Sequence, residues 1–119
     1  YFQAPNDPAV PCPPIIDIEP QVMSIKDGKY VNIDYIIYTQ IIDQKLFKKK
    51  DNIKELMRSE SLHIFEDIIR NMTYEMILNR RESIEDNLRV QLDGYIRKYG
   101  IGVKRVALRN VLEEDEVLD

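Results

Sequence analysis

The side chains that could do chemistry are few, and they stand apart from one another in the sequence. His63 is the only histidine and Cys12 is the only cysteine, so neither a histidine–cysteine metal set nor a disulfide within the chain can form. A nucleophile needs a base beside it, and we expect no serine or cysteine to form such a pair with His63. We therefore expect a protein that is not an enzyme, with no catalytic residue, no cofactor and no metal site.

Two runs of like charge are candidates for binding. Lys48, Lys49 and Lys50 are typical of solvated surface, and the sharper alternative is contact with anionic lipid headgroups, where each lysine contributes on the order of 1 kcal/mol. The carboxylates of residues 113–116 lack the loop spacing and the glycine of a calcium site, so they predict only an exposed acidic end. The net charge of −4 argues against a nucleic-acid partner, which requires a surplus of lysine and arginine.

Composition divides the chain into four segments. Residues 1–3 look like the remnant of a cleaved purification tag, and residues 4–14 hold five prolines, which predict an extended lead-in. Residues 15–111 are the predicted domain, and residues 112–119 are predicted to be an acidic end that starts a truncated helix. No apolar run approaches the ~18 residues of a membrane span. We therefore expect any membrane anchor to lie outside this sequence.

Alternation of apolar and polar residues predicts two N-terminal strands. The first strand follows Pro14 and ends before Asp27-Gly28, a pair that supplies the positive φ of a tight hairpin turn. The second strand runs from Tyr30 to Ile42. Its Ile36-Ile37 pair indicates that both faces of the sheet are covered at that point.

Apolar residues at helical spacing predict the helices that follow. The first spans 52–70 with Asp51 as its N-cap, and a short second helix is capped by Thr73. The third spans about 80–99 and ends at Gly100, which is expected to take the left-handed conformation of a helix stop.

A final strand begins at Ile101. Its apolar residues change phase at Lys104-Arg105, which predicts either a β-bulge there or a strand that changes which of its sides is covered. The fold class is therefore α+β: an N-terminal antiparallel sheet, helices packed on it, and a closing C-terminal strand.

Three stretches carry a resemblance to a known family: Ile69-Arg70-Asn71, Ile77-Leu78-x-x-Arg81-x-x-Ile84, and Tyr99-Gly100-Ile101 followed by Val103 and Val106. Together with the order of the elements, they resemble the SPFH or band 7 domain of the stomatin/prohibitin/flotillin superfamily, and its stomatin-like core in particular. The likeness extends over roughly residues 20–111. The positions that it marks as family-motif residues with a structural role are Arg70, Arg81, Ile84, Gly100 and Ile101.

The resemblance implies a membrane-associated, non-catalytic scaffold. Such proteins form homo-oligomers and organise or regulate membrane proteins such as proteases, channels or transporters. They hold an apolar hairpin or a transmembrane helix just before the domain and a coiled coil after it, so contact with the bilayer is expected through a segment absent from this sequence. The alternative is a soluble protein- or peptide-binding α/β module without a membrane role.

Overall fold

The structure is a computed structural model that describes residues 15–114. Its three strands form one antiparallel sheet in chain order, with two long helices packed against it. This is the α+β arrangement that the sequence predicts. The elements are β1 (Ile15–Ser24), β2 (Tyr30–Ile41), α1 (Gln44–Lys48), α2 (Ile53–Ile69), α3 (Tyr74–Asn79), α4 (Arg81–Ile96) and β3 (Ile101–Glu114), with short 3-10 turns at Lys26–Gly28 and Arg97–Tyr99.

The β1–β2 hairpin turns where the sequence predicts it. The 3-10 turn Lys26–Gly28 joins the strands, and Asp27 and Gly28 have φ of 67° and 71°. Aspartate and glycine tolerate this left-handed region better than most residues do. The turn then sets the register in which Ser24 lies opposite Tyr30.

The core lies on one face of the sheet. Val31, Ile33, Tyr35 and Ile37 of β2 point to this face, and each is completely buried. Ile36 points to the other face and stays partly exposed. The prediction that both faces of the sheet are covered at Ile36-Ile37 is therefore wrong. The reason lies in its cross-strand neighbours, because these are the short side chains of Asp17 and Ala107, which cannot enclose it.

The helices begin and end close to their predicted limits, but one cap differs. Thr73 caps α3 as predicted, since its Oγ1 accepts a hydrogen bond from Met76 N at 3.1 Å. Asp51 is not the N-cap of α2, because Asn52 holds that position with a left-handed φ of 59° and no capping bond from its side chain. The aspartate that does cap a helix is Asp43, at the start of α1.

Strand β3 contains two bulges. The register against β2 shifts once between Tyr38 and Thr39, which leaves Lys104 as the extra residue. Of the two predicted alternatives, the bulge is therefore confirmed. A second shift, between Asp34 and Tyr35, leaves Arg109 as the extra residue, and this bulge was not predicted from the sequence.

The end of β3 lies beyond the predicted end of the domain. Residues 112–114 continue the strand, with Glu114 opposite Tyr30, so a helix starting at Leu112 is wrong for these residues. Strand β2 is long enough to pair with them, and Asn32 Nδ2 donates to Glu114 Oε2 at 3.2 Å. The lead-in, the first three residues and residues 115–119 lie outside the described part of the chain.

A buried hydrogen bond joins the sheet to α2. The Tyr35 hydroxyl lies 2.8 Å from Ser61 Oγ, and the Tyr35 ring contacts Phe65 with the ring centroids 5.1 Å apart. Burial of the Tyr35 hydroxyl raises its pKa well above the usual range, although the bond to Ser61 opposes the shift.

Stability should therefore fall in alkaline solution. A tyrosine in the unfolded chain loses its proton near its ordinary pKa of about 10, whereas folded Tyr35 keeps the proton. The contribution of Tyr35 to the free energy of unfolding is thus fully present below pH ~10. Above that pH it decreases by up to about 1.4 kcal/mol per pH unit. Urea unfolding of the parent and of Tyr35→Phe between neutral and alkaline pH measures this. The variant should start about 1 kcal/mol less stable and lose stability less steeply, and parallel losses would contradict the assignment.

Candidate functional site

The side chains best suited to catalysis or metal binding do not come together in a reactive site. His63 is exposed on α2, and its Nε2 lies 3.9 Å from Asp67 Oδ2. Within residues 15–114, no three histidine, cysteine, aspartate or glutamate side chains gather at a distance that would hold a metal ion. Arg70, a family-motif position at the C-terminal cap of α2, also bonds to Asp67 of that helix, at 2.9 Å.

Side chains from α3 and α4 instead reach the backbone of β3. Arg81 Nη2 donates to the carbonyl of Leu108 and, at 3.0 Å, to that of Arg109. Glu85, one turn further along α4, accepts from Leu108 N at 2.7 Å. Arg81 and Glu85 thus hold both backbone groups of Leu108, and the hydrogen bonds from the guanidinium are charge-assisted.

Two further side chains complete this arrangement. Tyr74 donates from its hydroxyl to Val111 O at 3.1 Å, and Asp93 Oδ1 accepts from Val103 N at 2.8 Å. Partial burial of Asp93 opposes ionisation, but the hydrogen bonds from Arg97 and from Val103 N outweigh it and hold the pKa of Asp93 below its usual range. We call the four side chains the β3 edge clamp: Tyr74, Arg81, Glu85 and Asp93.

The β3 edge clamp closes an edge of the sheet. Among the described residues β3 pairs with β2 alone, so its far side is an edge. Free backbone groups on an edge strand can pair with another chain. The clamp occupies several of these groups, and strand addition at β3 would have to displace it.

Gly100 joins the helical and sheet parts at one point. It has φ of 83°, and its carbonyl accepts hydrogen bonds from Ile42 N at 2.8 Å and Asp43 N at 3.2 Å. A Cβ at this position would lie 2.3 Å from Asp43 O and 2.8 Å from Phe47 N. Only glycine fits here, so the predicted left-handed stop is also a point of close backbone contact.

An ionic cluster lies on the sheet face opposite the helices. The guanidinium Nη2 of Arg109 lies 2.7 Å from Asp17 Oδ1 and 2.9 Å from Asp34 Oδ2. Asp34 is almost fully buried, and its other oxygen accepts from Asn110 N at 3.1 Å. The cluster spans all three strands and fixes the second bulge. The sequence signal for this bulge is that Leu108 and Val111, two apolar residues that are both buried, lie three apart in a strand. A regular strand would place them on opposite faces, so one extra residue must lie between them.

The predicted lysine run lies at the end of the sheet where β2 leads into α1. Lys48, Lys49 and Lys50 are all exposed there. Lys50 Nζ lies 5.5 Å from the centroid of the Tyr99 ring, which also has Lys98 Nζ at 5.4 Å. The fold therefore brings together lysines that are far apart in the sequence.

The sequence model of the SPFH domain / Band 7 family matches residues 14–119. The chain belongs to this family. A putative band 7 family protein of Acanthamoeba polyphaga mimivirus is 23% identical over 107 residues, which cover 88% of this chain and 35% of that protein. An uncharacterized protein of Methanocaldococcus jannaschii is 25% identical over 104 residues, 87% of this chain and 52% of that protein. The chain thus spans about half, or less, of the length of these curated relatives.

Family membership gives the band 7 domain a scaffold-type role in general and places it among proteins that are generally membrane-associated. In this band 7 domain, Arg81 and Gly100 connect elements that are distant in sequence, and Ile84 and Ile101 are core residues. Arg70 makes no such connection among residues 15–114. No helix in that part of the chain is long and apolar enough to cross a bilayer.

Proposed function

We propose that this band 7 domain belongs to a membrane-associated, oligomeric scaffold that organises or regulates membrane proteins such as proteases, channels or transporters, and that it catalyses no reaction itself. The observation that carries the proposal is the family match over residues 14–119. A scaffold domain must hold its binding surfaces in fixed relative positions, so the internal contacts that make the domain rigid are relevant to this function.

The contacts between α4 and β3 support a rigid body. The β3 edge clamp fixes α4 to the edge strand through side chain–backbone hydrogen bonds. The Gly100 carbonyl fixes the turn before β3 to the start of α1. A rigid body with one protected edge suits ordered assembly, because strand pairing at that edge would otherwise compete with the specific contacts of an oligomer.

The proposal is tested with a longer form of the protein that carries the flanking sequence of its gene. We expect it to float with lipid vesicles and to migrate as a large assembly in both low and high salt, while the 119-residue chain is far smaller. Flotation and size-exclusion chromatography with light scattering measure the two properties.

The same experiment separates the two candidate functions. A longer protein that neither floats nor assembles would overturn the scaffold proposal and favour the soluble protein- or peptide-binding module. Chemical crosslinking of the floating assembly, followed by mass spectrometry, then identifies which membrane proteins it contacts.

A further inference from the structure

Lysine side chains are concentrated at one end of the domain. Of the nine lysines in the sequence, five lie where α1 meets the end of α4, and all five are exposed. Within residues 15–114, the ion pairs involve arginine or histidine, and none of these five ammonium groups pairs with a carboxylate. We call this surface the lysine end: Lys45, Lys48, Lys49, Lys50 and Lys98.

Tertiary contacts assemble the lysine end. The carbonyl of Gly100 accepts the N–H groups of Ile42 and Asp43, which sets α1 beside the 3-10 turn that follows α4. Lys50 and Lys98 then share the Tyr99 ring. These cation–π contacts hold the ammonium groups close to the ring without neutralising their charge.

Aromatic and aliphatic side chains lie among these lysines. Tyr95 and Tyr99 make an edge-to-face contact with centroids 6.2 Å apart, and Lys98 Nζ lies 4.6 Å from the Tyr95 centroid. Ile42 and Leu46, from the chain entering α1 and from α1 itself, are 42% and 37% exposed. Tyrosines, long lysine side chains and single exposed aliphatic residues are the components of surfaces that rest on the bilayer interface.

We propose that the lysine end is a contact surface for a bilayer that carries anionic headgroups. The orientation rests on the proposed function. Ile15 lies opposite Tyr38, and Ile41 lies opposite Ile101, so the chain enters β1 at the same end of the sheet as the lysines. A membrane-held segment preceding the domain would therefore bring the lysine end towards the bilayer, and not the end that carries Glu113 and Glu114.

The chemistry favours a lipid surface over other polyanions. Lysine ammonium groups are point charges that suit many headgroups at once, whereas a specific phosphate or carboxylate ligand is better matched by the planar fork of arginine. Arg97, which directly precedes Lys98, is engaged by Asp93, with Nε and Oδ2 2.7 Å apart. The chain is also negative overall, which disfavours wrapping by a long nucleic acid but leaves a local positive surface available to a flat membrane.

The test uses the 119-residue chain and sedimentation with vesicles. One set is phosphatidylcholine alone, and the other contains about a third phosphatidylserine, each at about 0.05 M and 0.5 M salt. We expect weak binding to the anionic vesicles at low salt, and loss of binding at high salt and with neutral vesicles. The double variant Lys49→Glu/Lys50→Glu should bind at least about tenfold more weakly, because each lysine contributes on the order of a fivefold gain in affinity.

A matched control separates the lysine end from net charge. Lys26→Glu/Lys29→Glu makes the same change of charge at the opposite end of the sheet, at two exposed lysines, and it should retain most of the binding. A second pair, Lys50→Gln/Lys98→Gln, tests the residues around Tyr99 without reversing charge. Circular dichroism of each variant confirms that it is folded.

Three results would overturn the proposal. The first is no binding to anionic vesicles at low salt, and the second is an equal loss of vesicle binding in the Lys49/Lys50 and Lys26/Lys29 variants. The third is binding of a polyglutamate peptide in place of vesicles, which would assign the surface to an acidic protein partner. These results leave the scaffold proposal standing, because a longer protein can float through its own anchor. Failure of the longer protein to float or assemble, in contrast, would leave binding of the isolated chain to vesicles intact.

Discussion

Gly100→Ala should lower the free energy of unfolding by at least about 3 kcal/mol. Two costs combine at this position. Gly100 has φ of 83°, where an L side chain is strained, and a Cβ would lie 2.3 Å from Asp43 O and 2.8 Å from Phe47 N. Both close atoms belong to the backbone, so relief requires moving α1 away from the start of β3. Urea unfolding followed by far-ultraviolet circular dichroism measures the loss.

Gly94 provides the matched control within the same helix–turn unit. Nothing lies within 4 Å of a Cβ built at Gly94, which is in the interior of α4. Gly94→Ala should therefore stabilise the domain by roughly 0.5–1 kcal/mol, because alanine restricts the unfolded chain and favours the helix. If the two alanine variants were equally stable, the close contact at Gly100 would be excluded as a structural requirement.

Arg81→Met should lower the free energy of unfolding by about 2 kcal/mol. Methionine keeps most of the apolar stem but removes the guanidinium that donates to the carbonyls of Leu108 and Arg109. Two edge carbonyls of β3 then lose their partners, so we also expect the variant to associate more readily on heating. Urea unfolding measures the first effect, and light scattering during a thermal ramp measures the second.

Arg70→Met is the control for this prediction. Both arginines are positions that the family resemblance marks, but within residues 15–114 the Arg70 guanidinium bonds only to Asp67, three residues before it on exposed helix surface. Its loss should change stability by less than about 0.5 kcal/mol, as is usual for an exposed ion pair. Equal effects of the two substitutions would show that the hydrogen bonds to β3 contribute little.

Much of the fold follows from local sequence pattern. The period-two alternation of Val31, Ile33, Tyr35 and Ile37 predicts the central strand and its buried face. The phase change at Lys104-Arg105 predicts a bulge or a change of the covered side, because two residues three apart cannot face the same side of a regular strand. The same rule applied to Leu108 and Val111 would have predicted the second bulge.

The errors arose where neighbours in space decide the outcome. Ile36 has the pattern of a residue in a doubly covered strand, but its neighbours Asp17 and Ala107 are short and leave it partly exposed. Leu112 begins an acidic stretch that is typical of a helix start, yet β2 offers an unpaired partner and draws residues 112–114 into the sheet. In both places the packing and pairing of distant residues outweighed the local preference.

The sequence by itself determined the order and type of the elements, the hairpin at Asp27-Gly28, the left-handed stop at Gly100 and the family, because these depend on residues close together in the chain. Only the tertiary structure decided that the Arg81 guanidinium closes the edge of β3 and that Lys50 and Lys98 share one tyrosine ring. Such pairs lie far apart in sequence, and no periodicity encodes which distant residue a side chain will meet. Their meeting depends on how the helices dock on the sheet, which is set by burial of the whole core.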